Sequence, residues 1–304
     1  MALYSVKFKI ISPMTHIPHS QTIFGTICHY YESIYGTKQL EKLLEISSNN
    51  KPLFWVSSMF PEHMLPFPQD FIPRKKNVNS QIDVQFIKKT KKIKYISKQV
   101  YNEYKQAPQA FWELYYRNLE EKNYLIQNNC LTLNNEWVPP YYIKDVRTRI
   151  DVDEELYYQD QLVYYEKDSI FEFYIECIEE SIKVQLEAVL KTMRYVTFGG
   201  HKSIGYNMFD FVSIANADEL KSASPRLLLS LSVGDKHIDY EHSYYQLKQL
   251  NMKFNNSFEA VNRSHTIVFT EGSILMTKRL YTGSLIKEKN NQQTTYQNML
   301  GLLI

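Results

Sequence analysis

The sequence predicts an α+β protein of two small domains, each a sheet carrying helices on one face. Three observations predict it. The length of 304 residues suits about two domains. Residues 2–11 and 171–176 alternate apolar and polar side chains, the period of a strand with two unlike faces. Each of these stretches is followed by a segment whose apolar residues recur at helical spacing.

In the first strand Tyr4, Val6, Phe8 and Ile10 point one way, while Ser5, Lys7 and Lys9 point the other. A polar loop over 12–19 follows. Next comes a helix with Ser20 as its expected N-cap, Ile23, Ile27, Tyr30, Tyr31 and Ile34 on one face, and Gly36 as its stop. A short helix around Leu40, Leu43 and Leu44 and a strand over 53–59 complete the first half. From about 60 to 110, Pro61, Pro66, Pro68 and Pro73 break the pattern, so this stretch reads as an insertion. Residues 111–125 read as a helix. Leu131, Leu133 and 137–142 read as extended chain, with Pro139 and Pro140 as a breaker.

Residues 156–178 read as a hairpin or two strands turning at Lys167 and Asp168. Phe171, Phe173 and Ile175 alternate there with Glu172, Tyr174 and Glu176. Ser181 is placed to cap a helix with Ile182, Leu186, Val189, Leu190 and Met193 on one face. The chain then returns as a strand over 206–214. Residues 1–214 thus read β, α, β, insertion, β, α, β, the order of the ferredoxin-like split βαβ motif. Helices on one sheet face leave the other free, as in RNA-recognition modules. Residues 215–304, with strands over 226–233 and 266–276, are expected to form a second ferredoxin-like domain. The polar tail 287–297 is expected to be mobile.

Composition narrows the function. Hydrophobic residues make up 44% of the chain, enough to build cores. No apolar run approaches the roughly 20 residues of a membrane span, and the N-terminus lacks the pattern of a signal peptide, so a cytoplasmic protein is expected. Cys28, Cys130 and Cys177 are too far apart for a metal knuckle and read as reduced thiols. The net charge is only +2, but it is unevenly spread. Residues 74–98 hold nine Lys or Arg and one acid, Asp83, whereas 145–180 hold twelve acids and three bases. Such a chain can face a polyanion with one region and a protein with the other, and both regions also fit plain solvated surface.

Three clusters carry chemistry. Gly199, Gly200 and Gly205 bracket His201, Lys202 and Ser203, with Phe198 before and Tyr206 after. A Gly-rich loop lets backbone N–H groups approach phosphate closely. This one follows a helix and precedes a strand, the reverse of a nucleotide-cofactor loop, so no cofactor is expected. The second cluster is His16, His19, Ser20 and Thr22 at the entry to the first helix, where free N–H groups favour an anion. Pro18 separates the two histidines and no third ligand is evident, so no metal site is expected. The third is Arg147 and Arg149, two residues apart and suited to forked phosphate contacts. Each cluster also has a plain reading: a glycine helix stop, a polar capped loop and a salt-bridged surface. No catalytic motif of the common hydrolase, zinc-protease or kinase kinds is present.

In this order, the helix entry from Ser20 to Gly25, the segment containing Arg147, Arg149 and Asp151, and the Gly199-to-Tyr206 loop resemble the RAMP superfamily of CRISPR-associated proteins. The branch they are most similar to is the fourth Csm subunit of type III-A effector complexes. The resemblance spans the whole chain. It implies two ferredoxin-like domains, 1–214 and 215–304, with a thumb-like hairpin over about 149–168. It also implies a non-catalytic subunit that grips the 5′ repeat-derived handle of a guide RNA beside the large polymerase/cyclase-like subunit and a backbone subunit. His19, Ser20, Thr22, Arg147, Arg149, Gly199, Gly200, His201, Lys202, Ser203, Gly205 and Tyr206 are the residues expected at the RNA. Asn207 departs from the family, in which glycine is common after the loop. Two rival readings stand beside this one: a metal-independent ribonuclease using His16, His19 or His29, and a protein scaffold without RNA.

Overall fold

The computed structural model describes residues 2–49, 51–70, 88–149, 157–199, 204–251, 265–290 and 293–304. The chain opens with β1 (Ala2–Ile10) and α1 (Ser20–Tyr35), which ends at Gly36. The φ of Gly36 is +84°, a value that costs glycine little, and its N–H donates to the Glu32 carbonyl. After α2 (Thr37–Ser48) come β2 (Phe54–Val56) and β3 (Phe60–Pro61).

The insertion follows, and it has a fold of its own. It comprises β4 (Met64–Pro66), β5 (Tyr95–Ser97), α3 (Lys98–Gln106), α4 (Pro108–Glu120), β6 (Tyr124–Gln127) and β7 (Cys130–Leu133). Its strands pair in the order β4-β5-β7-β6. Tyr101, Tyr104, Phe111, Tyr115 and Tyr124 are all buried in it, so its core is aromatic. The insertion therefore runs to Leu133 rather than stopping near 110. The helix expected over 111–125 ends at Glu120, because Lys122 takes a positive φ of 60° and turns the chain into β6.

Next come β8 (Tyr141–Arg149), β9 (Tyr157–Tyr165), β10 (Ile170–Cys177), α5 (Glu180–Thr192), β11 (Val196–Thr197) and β12 (Met208–Asn216). The expected hairpin has different bounds. β9 pairs with β8, from Tyr141↔Tyr165 to Arg149↔Tyr157, and does not pair with β10. The hairpin arms thus begin directly after Pro140, and Asp168 lies beyond them at the turn into β10 with φ 66°. Residues 150–156, between β8 and β9 in sequence, fall outside the described residues.

The main sheet has the order β11-β12-β1-β10-β2, with β3 also on β10, and every pairing in it is antiparallel. Lys183 of α5 sits 5.0 Å from the Tyr4 ring, which places Tyr4, Val6 and Phe8 on the helix side. Their partners Ile175, Phe173 and Phe171 share that face and are buried with Val6 and Phe8, while Tyr4 is half-buried.

The opposite face is not free, contrary to the expectation from RNA-recognition modules. Glu172, Tyr174 and Glu176 lie on it and are fully buried. Glu172 is held by Lys98 of α3 at 2.9 Å, and Glu176 by Lys221 at 2.9 Å. The carboxylates that look solvent-facing in sequence are covered because cations distant in the chain come to meet them.

Beyond Asn216 the described residues hold strands and one 3-10 turn (Asp218–Leu220), and no α-helix. The strands are β13 (Arg226–Leu227), β14 (Asp239–Tyr244), β15 (Leu247–Asn251), β16 (His265–Phe269), β17 (Ile274–Met276), β18 (Tyr281–Asn290) and β19 (Gln293–Leu302). The helices that a second βαββαβ unit requires are thus missing among them. The tail expected to be mobile is instead paired: β18 and β19 run in register from Tyr281↔Leu302 to Asn290↔Gln293. Leu285, Leu300, Leu302 and Ile304 join the same core as β1, α1 and β2. Trp55 of β2 packs on Tyr281 with ring centroids 4.9 Å apart.

Candidate nucleic-acid interface

Two loops of the first sheet meet beside the head of α1. One is 12–19, between β1 and α1. The other leads from Phe198 towards β12. Phe198 is buried, with its ring 5.4 Å from Phe8 and 5.6 Å from Phe209, so the second loop starts from a fixed point. Gly199 follows at φ +93°. A Cβ there would lie 3.5 Å from Thr22 Cγ2 and 3.7 Å from His16 Nε2. The structure thereby brings Gly199, Thr22 and His16 together. Gly200, His201, Lys202 and Ser203 lie outside the described residues. Gly205 has φ +78°, and Tyr206 is half-buried.

Asn207 ties the two loops to each other. Its φ is 57°, and Asn tolerates this left-handed backbone better than most side chains do. The fully buried side chain accepts from Thr15 N–H at 2.8 Å, and its amide nitrogen donates to Thr15 Oγ1 at 3.1 Å. Its own N–H donates to the Pro13 carbonyl. Asn in place of glycine therefore adds a clasp while keeping the backbone shape. Asn207→Ala is expected to cost about 2 kcal/mol, from left-handed strain and lost hydrogen bonds. Asn207→Gly should lose only the bonds, about 1 kcal/mol. Urea denaturation should rank wild type, then Gly, then Ala.

At the head of α1 the N-cap is His19, with extended backbone, and not Ser20. Ser20 is fully buried. Its N–H donates to Ser58 Oγ at 3.0 Å and its hydroxyl to Gln21 Oε1 at 3.4 Å, so its polar groups face the protein. His19 is half-buried, and its Nδ1 meets Glu271 Oε1 at 3.0 Å. Ser58 Oγ donates to the same oxygen at 2.5 Å. Burial pushes the Glu271 carboxyl up, but the His19 hydrogen bond and charge and the Ser58 bond outweigh it, so its pKa falls below the ordinary 4.5. A carboxylate with a depressed pKa stabilises the fold above its unfolded pKa, and loses that contribution as pH falls through the folded value. The melting-temperature gap between wild type and Glu271→Gln is therefore expected to be full near neutral pH and to close on acidification below about 4.5.

Arg147 and Arg149 lie on β8, opposite Gln159 and Tyr157, in the tip half of the hairpin. At its root, Met14 and Val163 exchange two backbone hydrogen bonds of 3.0 and 2.7 Å, so the hairpin is anchored to loop 12–19. Tyr142 and Tyr164 stack across the arms with centroids 4.8 Å apart and an interplanar angle of 2°. Tyr142 is 61% exposed, a flat ring offered to solvent. His16 and His19 stand with centroids 6.5 Å apart. Among the described residues no group of three His, Cys, Asp or Glu is placed to hold a metal, and no described helix is long and apolar enough to cross a membrane. Sequence reasoning missed Thr15, Ser58 and Glu271. For Asn207 the signal is present in sequence, since Asn standing where glycine is expected points to a positive φ.

No family model matches the chain, and no curated protein matches it in sequence. Solved structures do. A chain of the Csm3–Csm4 subcomplex of the type III-A CRISPR-Cas interference complex matches over 100% of this chain and 98% of its own, with a TM-score of 0.68 and 18% identity. Chains from Csm1–Csm4 cassettes match over 99% of this chain and 97% of their own. The cassette with cA4 gives a TM-score of 0.60 at 17% identity, and that with pppApA gives 0.57 at 18%. Csm4 is the component these assemblies share. The chain has the Csm4 fold. The likeness runs through both the first sheet with its insertion and the C-terminal strands. On this Csm4 fold, the paired loops, the head of α1 and the hairpin root are joined by the Asn207–Thr15, Gly199–Thr22 and Met14–Val163 contacts.

Proposed function

We propose that the chain is a guide-RNA-binding subunit of a type III-A CRISPR Csm effector complex, acting in the cytoplasm in defence against foreign nucleic acid. In this reading it caps the 5′ repeat-derived handle and bridges the large polymerase/cyclase-like subunit to the backbone filament. It performs no catalytic step and needs no cofactor. The observation that carries the proposal is the full-length fold match to chains from both Csm3–Csm4 and Csm1–Csm4 assemblies. A protein with this fold throughout is suited to meeting both kinds of neighbour. The sheet order β12-β1-β10-β2, with α1 and α5 as crossovers, also supports reading residues 1–214 as a ferredoxin-like domain with a thumb. The strands of 215–304 would be its modified counterpart.

The surface suits the task. Loop amides beside Gly199, Thr22, Arg147 and Arg149 supply phosphate contacts, and the hairpin tyrosines supply stacking faces. The test is a pull-down of the tagged protein from its host, with sequencing of bound RNA, for wild type and for Arg147→Ala/Arg149→Ala. Uniform 5′ ends derived from a CRISPR repeat, together with large and backbone Csm subunits, support the reading. Loss of two phosphate contacts should also flatten the salt dependence of single-strand binding by about 1.4 in log–log slope. Recovery of the subunits with no RNA would mean a scaffold. Cleavage of repeat RNA without metal would instead mean a ribonuclease using His16, His19 or His29.

A further inference from the structure

Beside the interface lies a cleft of about 570 Å³. His19 and Glu271 form one wall. The other wall comes from the insertion, through Phe67, Tyr95 and Tyr116. Lys91 and Lys94 stand at its mouth, exposed and without an ion pair among the described residues. The insertion wall is aromatic, and two of its rings are held by neighbouring rings. Phe67 packs edge-on against Trp112 at 5.7 Å, and Tyr95 against Phe60 at 6.3 Å. The Glu271 carboxylate is held in place in the cleft wall, because His19 and Ser58 both hydrogen-bond the same oxygen. The basic segment is two-sided. Lys89 and Lys92, each two positions before a mouth lysine, line a second hollow together with Asn128, Asn129 and Tyr142 of the hairpin. The lysines thus form a ridge between two depressions, and a path runs from His19 across the cleft and the ridge to the hairpin.

We propose that this cleft holds one splayed nucleotide of a bound single-stranded RNA, with the base against the aromatic wall of Phe67, Tyr95 and Tyr116 and its flanking phosphates on Lys91 and Lys94. The assignment rests on the RNA-binding reading and deepens it, by giving the insertion's basic segment a ligand. The volume lies in the range of small-molecule sites, an aromatic wall suits the face of any base, and ammonium groups act as point charges for phosphate. An apolar peptide side chain would cover that wall but would leave two exposed cations at the mouth unanswered.

The protein is purified with the subunits and RNA that accompany it and is irradiated with ultraviolet light, and the crosslinked peptides are mapped. Crosslinks from one nucleotide position to Phe67, Tyr95 or Tyr116 are expected. In Lys91→Glu/Lys94→Glu, whose changes are on the surface, the complex should keep its RNA but lose those crosslinks. The log–log salt slope for single-strand binding should flatten by about 1.4 for two lost phosphate contacts. RNA present in the wild type without crosslinks in the cleft, or an unchanged slope in the variant, overturns the cleft assignment and leaves RNA binding standing. Cleft peptides shielded from solvent yet crosslinked only to protein give the cleft to a partner chain and overturn it as well. Wild-type complex without any RNA overturns both the assignment and the reading beneath it.

Discussion

Phe8→Ala is expected to destabilise the protein by about 3–5 kcal/mol, among the largest effects of any single change. Phe8 is fully buried at the centre of an aromatic cluster. Its ring lies 5.8 Å from Phe173, 5.4 Å from Phe198 and 5.7 Å from Phe211. Truncation removes its transfer energy and leaves a cavity that rigid neighbouring rings cannot close. Phe8→Leu should recover much of the loss, because it keeps more of the volume. Val212→Ala, at a site 48% exposed, should stay within about 0.5 kcal/mol of wild type. Equilibrium urea unfolding measures all three. The consequence reaches function as well. Phe198 immediately precedes Gly199, so a floor that yields under Phe198 releases the loop that faces Thr22 and His16. RNA retention should therefore fall in Phe8→Ala more than the folded fraction alone predicts. A shift in the midpoint corresponding to less than about 1 kcal/mol would mean that the cluster repacks and that Phe8 is not its keystone.

The elements governed by local pattern were legible. The alternation of Val6 and Phe8 with Ser5 and Lys7, the spacing of Ile23, Ile27 and Tyr31, and the stop at Gly36 all depend on neighbours in sequence. What failed depended on partners far away. Glu172 and Glu176 alternate with Phe171, Phe173 and Ile175 as a solvent face would, and only Lys98 and Lys221 reveal that face as buried. The segment 287–297 is polar enough to read as a tail. Its strand character is visible only in the ten-pair register that closes β18 on β19. The hairpin start is within reach of the sequence, since Pro139 and Pro140 break the chain and β8 begins at the next residue. In the candidate site, the loop glycines could be read from sequence because a positive φ favours glycine over any other residue. The His19–Glu271 contact could not, because 252 positions separate the two and a lone Glu beside a glycine carries no signal.

Removing the cation from the covered sheet face tests how the insertion is held. Lys98→Met is expected to cost about 3 kcal/mol, because it leaves Glu172 charged and fully buried. The Lys98 ammonium lies 2.9 and 3.0 Å from the two carboxylate oxygens and 5.3 Å from the Tyr174 ring. The remaining partners of Glu172 are neutral: Ser5 Oγ donates at 2.7 Å and the His63 N–H at 2.8 Å. Adding Glu172→Gln in the same chain should return most of the loss, since the amide oxygen still accepts one of these bonds without a charge to desolvate. The double-mutant cycle should show a coupling of at least about 1.5 kcal/mol, and additive single effects would mean that the pair is not a clamp. Lys98 opens α3 directly after β5, and the lysines at 91 and 94 lie just before that strand. One buried ion pair thus fixes both the helix on the sheet and the position of the basic ridge. Hydrogen exchange in Lys98→Met should accordingly rise first in β5 and α3, with β1 and α1 protected until global unfolding.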